Sequence, residues 1–518
     1  MTGLWQGRIA VLADPHLHDT TRGADYGLPH MPMLRTLSET APSTRVFNES
    51  GPALRAALEG IRAAGHHLVL IVGDMTDDGQ APNWQAAAEM LTEYSQNAGM
   101  RFFLTPGNHD QWITRDLPQR KGFCPPQGGV VSVSSQPAPG AHHAPAMARL
   151  DHAAMLRHAA PFGFTPQPGD LLWETPFGGD PSLTARSGQL SAAGTTHSAP
   201  DLSYLVEPEA GLWLLSIDAS VYLPNEAGEW RDGSGEGWRA VLRHKPWLLD
   251  WVRDVADRAA ALGKRLVCFS HYPVLDALNG VAGPEEAGGK KRLMPDAATA
   301  DALTATGMGL HFSGHWHVNR TSVRRHAAGR QLINIAVPST VSFPAVWKEA
   351  EFQQDRLTIR SHQLQAVPGH DLAHAQYRAA GADLPERMSY PEFLGWHLAE
   401  LVRLRYLPRD WPQDFVTALA GQDLRGLVAA CGLTLPAGAE SVPGPELIQD
   451  LYRLERGGDL AGLSAGRRAL YRGLPLPEGQ ESPAARLLSS LVAHANGLPD
   501  ADFHLDLPQA GPAAVSAA

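Results

Sequence analysis

The sequence predicts an α/β fold in which strands alternate with helices and place polar side chains at one edge of a sheet. Two observations support this prediction. Short apolar runs that stop at a polar residue recur between residues 8 and 312, and helix-like segments separate several of them. An apolar run bounded by turn residues is typical of a strand buried on both faces. Binding sites in such sheets form where the strands end.

The first two runs each end at a carboxylate. Residues 8–14 form the first run, which stops at Asp14, with His16 two positions later. Side chains two apart on an extended chain face the same way, about 6.5 to 7 Å apart, so Asp14 and His16 can share a cation. The second run, residues 67–72, leads through a glycine to Asp74. Either segment alone is more often an ordinary polar turn.

The third run, residues 101–104, leads into a turn that contains Asn108 and His109. Asn is a routine turn residue, but its side-chain oxygen is also a neutral metal ligand. A histidine beside it lies within reach of whatever the metal holds. The third run therefore adds a candidate ligand and a candidate acid or base.

The last two runs end in histidines. Residues 265–269 precede His271, and residues 308–312 precede His315 and His317. If the chain stays extended there, His315 and His317 share a face. A single histidine is more often structural than a ligand, but compatible ligands at five strand ends indicate a metal site.

Together these blocks resemble the calcineurin-like metallophosphoesterase superfamily, whose ordered motifs are D-x-H, G-D-x-x-D, G-N-H-D/E, a lone His and G-H-x-H. All five occur in order between Asp14 and His317, and the set is highly specific. The resemblance implies two packed mixed β-sheets flanked by helices, a metallophosphoesterase sandwich, over residues 1–367. Segments 212–217, 331–337 and 356–359 are expected to supply strands of the second sheet.

The resemblance also implies a binuclear metal centre. Its ligands would form two overlapping sets: Asp14, His16, Asp74 and His317 for one ion, and Asp74, Asn108, His271 and His315 for the other. A carboxylate such as Asp74 can bridge ions about 3.5 to 4 Å apart. Metal-bound hydroxide would attack the phosphoester, His109 would act as general acid or charge stabiliser at the leaving group, and Asp77 would orient His109.

Departures from the motifs narrow the subfamily. Protein serine/threonine phosphatases usually carry Arg after the second Asp and Glu at the end of the third block, where this chain has Asp78 and Asp110. Purple acid phosphatases use a Tyr ligand near the second block, where this chain has Asp77. The pattern looks more like the cyclic-nucleotide phosphodiesterases and related small phosphodiesterases, which is an analogy between subgroups.

We therefore expect metal-dependent hydrolysis of a small nucleotide-like phosphodiester. A phosphomonoesterase or pyrophosphatase with the same site is one alternative, and a non-catalytic scaffold of the same fold is another. The mixed imidazole and oxygen ligands suit two divalent ions, with manganese or iron favoured and zinc, cobalt or nickel also compatible.

Composition agrees with an enzyme of this class. The 518-residue chain is 43% hydrophobic and 19% charged, so it can form a sizeable core, and its net charge of −11 disfavours a protein that coats nucleic acid. Its three cysteines are widely spaced and predict no disulfide framework. No signal peptide pattern is visible and no apolar run is long enough for a membrane span. A cytoplasmic protein is expected.

Three further regions lie outside the motifs. Residues 111–200 are rich in Pro, Gly and Ser, and we expect a loop-rich insertion that could form a lid. Residues 20–50 carry Arg22, Arg35, Arg45 and Asn48. We expect ordinary solvated arginines here, and a contact with a phosphate or base of the substrate is the alternative. Residues 368–505 are expected to form a helical appendage that could support homo-oligomerisation, with helices over 391–406, 413–419, 445–454 and 483–495, before a frayed tail over 506–518.

Overall fold

The computed structural model describes residues 4–192, 194–225, 227, 229–281, 293–326, 329–436, 439–478 and 482–507. Two mixed β-sheets pack against each other, which confirms the predicted sandwich. The contact between them is direct, because the hydroxyl group of Tyr204 in the second sheet donates to the Leu104 carbonyl of the first at 2.8 Å.

The first sheet has the strand order Phe503–Asp506, Arg356–Gln363, Val346–Gln353, Gly7–Leu12, Leu68–Val72, Arg101–Thr105. The last three strands run parallel, and the others pair antiparallel. All residues of Leu68–Val72 are buried, as a strand covered on both faces requires.

The second sheet has the order Arg320–Arg325, Gln331–Ala336, Leu310–Ser313, Arg265–Ser270, Leu212–Ile217, Tyr204–Glu209, Leu172–Glu174. Its central strands are parallel and its outer pairs antiparallel. The expectation for residues 356–359 was wrong, since Arg356–Gln363 belongs to the first sheet. It forms a tight hairpin with Val346–Gln353, whose strand character the sequence interpretation did not include.

The helices in the described part of residues 4–367 are Leu37–Thr40, Ser50–Ala63, Ala81–Ala98, His152–Ala159, Trp238–His244, Pro246–Leu262 and Ala297–Thr304. Ser50–Ala63 and Ala81–Ala98 connect successive parallel strands, so each strand ends on the same edge of the first sheet. Pro246–Leu262 buries Leu248, Trp251, Val252 and Val255, whose helical spacing places them on one face.

The insertion over residues 111–200 contains more regular structure than expected. It has a small sheet of Arg120–Phe123, Val131–Ser134 and Ala141–His143, and a hairpin of Ser187–Ala192 with Thr195–Pro200. Phe123 and Val133 belong to a local core there. Strands this short, packed on a small local core, show little hydrophobic periodicity in the sequence.

The C-terminal region is helical, as predicted, with helices His374–Ala379, Tyr390–Leu401, Leu407–Asp410, Gln413–Leu419, Leu424–Ala430, Gly444–Gly457, Ala465–Arg472 and Pro483–Ala495. Its buried residues, among them Tyr390 and Leu451, share one hydrophobic core with the first sheet. Asp506, placed in the expected frayed tail, instead ends a strand that pairs with Arg356–Gln363. Residues 508–518 lie outside the described residues.

Candidate metal centre

The structure brings all seven predicted ligands together at one edge of the two sheets. Asp14, His16 and Asp74 follow strands of the first sheet, and His271, His315 and His317 follow strands of the second. Left-handed backbone conformations recur here, with φ values of +47° at Asp14, +45° at His16, +49° at Asp74, +68° at His315 and +53° at His317. Such conformations are uncommon outside glycine and cluster at functional sites, where the surrounding structure must impose them.

The first ligand set surrounds one point. His16 Nε2 lies 3.1 Å from His317 Nε2 and 3.6 Å from Asp74 Oδ2, and Asp14 Oδ1 lies 3.5 Å from His317 Nε2. These four side chains are at most 4% exposed. Two imidazole nitrogens and two carboxylates therefore converge in a buried position.

The second set is tighter still. The atoms His271 Nε2, His315 Nδ1 and Asn108 Oδ1 are separated by 3.0 to 3.2 Å from one another. Asp74 Oδ2, the same oxygen that faces His16, lies 3.2 Å from His271 Nε2. Asp74 thus stands between both sets, as the resemblance implies.

Hydrogen bonds on the outer side of the imidazoles fix their tautomers. His271 Nδ1 donates to the Val72 carbonyl at 3.1 Å, and His317 Nδ1 donates to the Thr44 carbonyl at 3.3 Å. In the neutral form of each ring, Nε2 is an acceptor that faces the cluster. Metal-binding histidines are held in this way.

Two motif glycines allow the ligand loops to approach each other. A Cβ atom at Gly107 would lie 2.1 Å from Asp74 Oδ1, and one at Gly314 would lie 2.3 Å from Asp14 Oδ2. Any larger residue would displace the carboxylates. The glycines of the third and fifth blocks therefore serve the ligand geometry directly.

The protonation states also suit a cation. Burial lowers the pKa of His16 and His315 well below the ordinary value, which keeps both rings neutral. Burial opposes ionisation of Asp74, but nearby imidazoles hold its pKa well below the ordinary value. Burial likewise opposes protonation of His271, yet Asp74 and Asp14 raise its pKa to about 9, so a metal ion that binds Nε2 must displace a proton. Negative potential is thus concentrated where the two sets meet.

The donor set fits two divalent ions. With bonds of about 2.0 to 2.2 Å, neighbouring ligands of one ion lie roughly 3.0 to 3.5 Å apart, which matches most of the donor separations. Imidazole, carboxylate and amide donors are those of first-row divalent metals. Two groups of three side chains place their ligand atoms close enough to hold a metal ion: Asp14, Asp74 and His271, and Asp14, His16 and His317.

His109 lies beside the first ligand set, with its ring centroid 5.1 Å from that of His16. The hydrogen bond that orients His109 goes to Asp78, whereas the resemblance implied Asp77. His109 Nδ1 donates to Asp78 Oδ1 at 2.5 Å, while the side chain stays 24% exposed. Asp78 is itself held by Arg149 at 2.8 Å and by Lys121. Both cations come from the insertion.

Asp77 has a different set of partners. It is completely buried and accepts hydrogen bonds from Arg35 at 3.0 Å, Arg45 at 3.1 Å and Lys121 at 3.0 Å. Burial opposes its ionisation, but Lys121 and Arg45 lower its pKa far below the ordinary value. The expectation of solvated arginines was therefore wrong for Arg35 and Arg45, which are 6% and 8% exposed.

The C-terminal region contacts the loop that carries His315 and His317. Arg456 donates to the Trp316 carbonyl between these two ligands, and the backbone N–H of Asn319 donates to the Arg456 carbonyl at 2.8 Å. The Asn319 side chain donates to the Gly457 carbonyl at 3.1 Å. No sequence motif marks these contacts, so they could not be predicted from local sequence.

A mixed-sheet sandwich with paired ligand sets at its edge defines a metal-dependent phosphoester hydrolase. The chain belongs to the calcineurin-like phosphoesterase family, whose sequence profile matches residues 7–319. No curated protein matches the chain.

Solved structures with a similar chain include a dimetal phosphatase from Danio rerio, with 13% identity and a TM-score of 0.38, over 69% of this chain and 96% of that one. Another is GAP50, the anchor in the inner membrane complex of Plasmodium, with 11% identity and a TM-score of 0.30, over 74% and 98% of the two chains. Neither likeness is close enough to carry an argument about substrate. Among the described residues no helix is sufficiently long and apolar to cross a membrane.

Proposed function

We propose that this protein is a phosphodiesterase that acts on a small nucleotide-like diester with two divalent metal ions, manganese or iron. The observation that carries the proposal is the convergence of seven ligands into two sets that share Asp74 Oδ2. Asp14, His16, Asp74 and His317 would hold one ion, and Asp74, Asn108, His271 and His315 the other. When bound, the ions would activate water and neutralise charge on the phosphoester oxygens.

His109 would complete the machinery as the group that serves the leaving oxygen. Because Nδ1 donates to Asp78, Nε2 is the nitrogen free to face a substrate. From this position the ring would supply a proton to the departing alkoxide. The candidate ligands Asn108 and His315 are half-buried, as is His109, whereas the remaining ligands are buried. A substrate would therefore approach from the side of these three half-buried residues.

The preference for a diester has a physical basis in Asp78. Protein phosphatases usually carry an arginine at this position, and a guanidinium group there suits a dianionic monoester. This chain places a second carboxylate beside Asp77 and uses it to hold His109. Because Lys121 and Arg149 compensate the charge of Asp78, the preference rests on the missing arginine rather than on repulsion by this carboxylate.

A pair of matched aryl substrates tests the proposal. Metal-reconstituted protein should hydrolyse bis(p-nitrophenyl) phosphate with higher kcat/KM than p-nitrophenyl phosphate, and elemental analysis should identify the metal that supports this. With a dinucleoside phosphate, whose leaving group is an alkoxide, His109→Ala should lower kcat by about 10² to 10⁴, the range of general acid catalysis. Preference for the monoester would favour a phosphomonoesterase, and no hydrolysis of either ester would favour the scaffold alternative.

A further inference from the structure

A short segment, residues 40–45, connects the C-terminal helical region with the metal centre. His397 Nε2 donates to the Thr40 carbonyl at 3.0 Å, and Arg405 Nη1 donates to the Pro42 carbonyl at 3.4 Å. On the metal side, the Thr44 carbonyl accepts the hydrogen bond of His317, and Arg45 binds Asp77. The helical region therefore borders the candidate active site through this segment.

Arg405 differs from its neighbours in having no acidic partner. Among the described residues it forms no ion pair, whereas Arg403 pairs with Glu400 and Arg409 pairs with Asp410. Its side chain is exposed. It has a single hydrogen bond to a backbone carbonyl, so donors of its guanidinium group remain available for a ligand.

Other cations lie around Arg405. Arg456 is buried and binds the Tyr406 hydroxyl group and the Trp316 carbonyl. The guanidinium groups of Arg409 and Arg456 lie 5.1 and 5.3 Å from the centre of the ring of Tyr406, the residue after Arg405. Desolvation and the positive charges of Arg409, Arg456 and Arg45 lower the pKa of Arg405, against an opposing effect of Tyr406. Positive potential of this kind attracts an anion.

Chain connectivity limits the distance between Arg405 and the metal centre to one that a single substrate can span. Residues 42 and 44 are at most about 7 Å apart along the chain. When the lengths of the hydrogen bonds from Arg405 to Pro42 and from His317 to Thr44 are added to this distance, the Arg405 guanidinium group lies within about 14 Å of the His317 ring. Two anions bound between these points would be separated by less than that, which is the scale of one nucleoside.

We infer that Arg405 binds a second phosphate group of the substrate, separate from the ester that is hydrolysed. This inference rests on the proposed phosphodiesterase function and narrows its substrate class to nucleotide-like diesters that carry a further phosphate. Arginine is suited to this role because its planar donors match phosphate oxygens in pairs. The C-terminal helical region would then contribute to substrate selection.

The test compares two p-nitrophenyl esters of thymidine 5′-phosphate, one with a 3′-hydroxyl group and one with a 3′-phosphate group. Both have the same scissile bond and leaving group. Metal-loaded full-length protein should show a lower KM for the 3′-phosphorylated ester, and added salt should reduce the difference. Arg405→Gln should raise the KM of the phosphorylated ester about tenfold more than that of the other ester, as loss of a charge-assisted contact implies.

Arg403→Gln is the matched control, because it removes one exposed arginine from the same turn but one that is paired with Glu400. It should leave the ratio of the two KM values unchanged. Equal effects of Arg405→Gln on both esters, or equal effects of both variants, would overturn the inference while leaving the proposed function in place. Failure of the unmodified protein to hydrolyse either ester would instead refute the proposed function.

Discussion

Replacing Asp78 by Asn tests whether this carboxylate holds His109 in its working orientation. Asp78 Oδ1 accepts hydrogen bonds from His109 Nδ1 at 2.5 Å and from Arg149 at 2.8 Å. Asn has almost the same shape but no charge, and its NH₂ group can donate to Nδ1 and select the other tautomer. Loss of general acid function costs roughly 10²- to 10⁴-fold. We therefore expect kcat to fall about 10³-fold, or about 4 kcal/mol in transition-state stabilisation.

The assay is steady-state hydrolysis of a dinucleoside phosphate, whose alkoxide leaving group needs a proton, by metal-loaded protein. Metal content and circular dichroism are measured on the same samples. Asp77→Asn is the comparison, because it removes the neighbouring carboxylate that binds Arg35, Arg45 and Lys121. Its main expected effect is a loss of about 3 to 5 kcal/mol in unfolding free energy, as for a broken buried ion pair. The reasoning is refuted if folded Asp78→Asn keeps its kcat while folded Asp77→Asn loses it.

Three other predictions concern metal binding and stability. Gly314→Ala should weaken metal binding about tenfold or more in calorimetric titration, because its Cβ would lie 2.3 Å from Asp14 Oδ2; unchanged affinity would contradict this. Burial raises the pKa of Glu49 to about 8 from 4.5, so its stabilising protonated form is complete below about pH 4.5 and is lost as pH rises through about 8. Glu49→Gln should accordingly raise the melting temperature more at about pH 9 than at about pH 5, and equal shifts would count against the assignment. Chelation should lower the melting temperature, since ions at a hundredfold excess over Kd stabilise by about 3 kcal/mol.

The ligands could be predicted because each depends on local sequence. An apolar run that stops at Asp14, Asp74 or His271 indicates both the strand and the place where it ends. The parallel order of the strands then brings these ends to one edge. The family motifs supplied the proposed division into two sets, and Asp74 Oδ2 lies 3.6 Å from His16 Nε2 and 3.2 Å from His271 Nε2.

The partners of His109 depend on contacts that local sequence does not encode. Asp77 and Asp78 are adjacent acids, and only the surrounding cations determine which one turns toward His109. Those cations, Lys121 and Arg149, come from the insertion, whose short strands have little periodicity. The same limitation applies to Arg45, which reaches Asp77 from a loop.

The hairpin of Arg356–Gln363 illustrates a second limit. Its sequence indicates a strand, but the choice of sheet depends on pairing with Val346–Gln353 and with the distant Phe503–Asp506. Long-range pairing of this kind follows from the packing of the whole chain rather than from propensity.

Metal titration of the native protein and of Asp74→Asn, with phosphodiester hydrolysis followed at each step, tests the central claim most directly. Asp74 Oδ2 faces ligands of both sets, so its loss should affect both ions. We predict that hydrolysis by the native protein rises until two ions are bound per chain. Asp74→Asn should bind fewer ions and lose hydrolysis even at saturating metal. Hydrolysis that needs no metal, or that persists in folded Asp74→Asn, would contradict a binuclear phosphoester hydrolase.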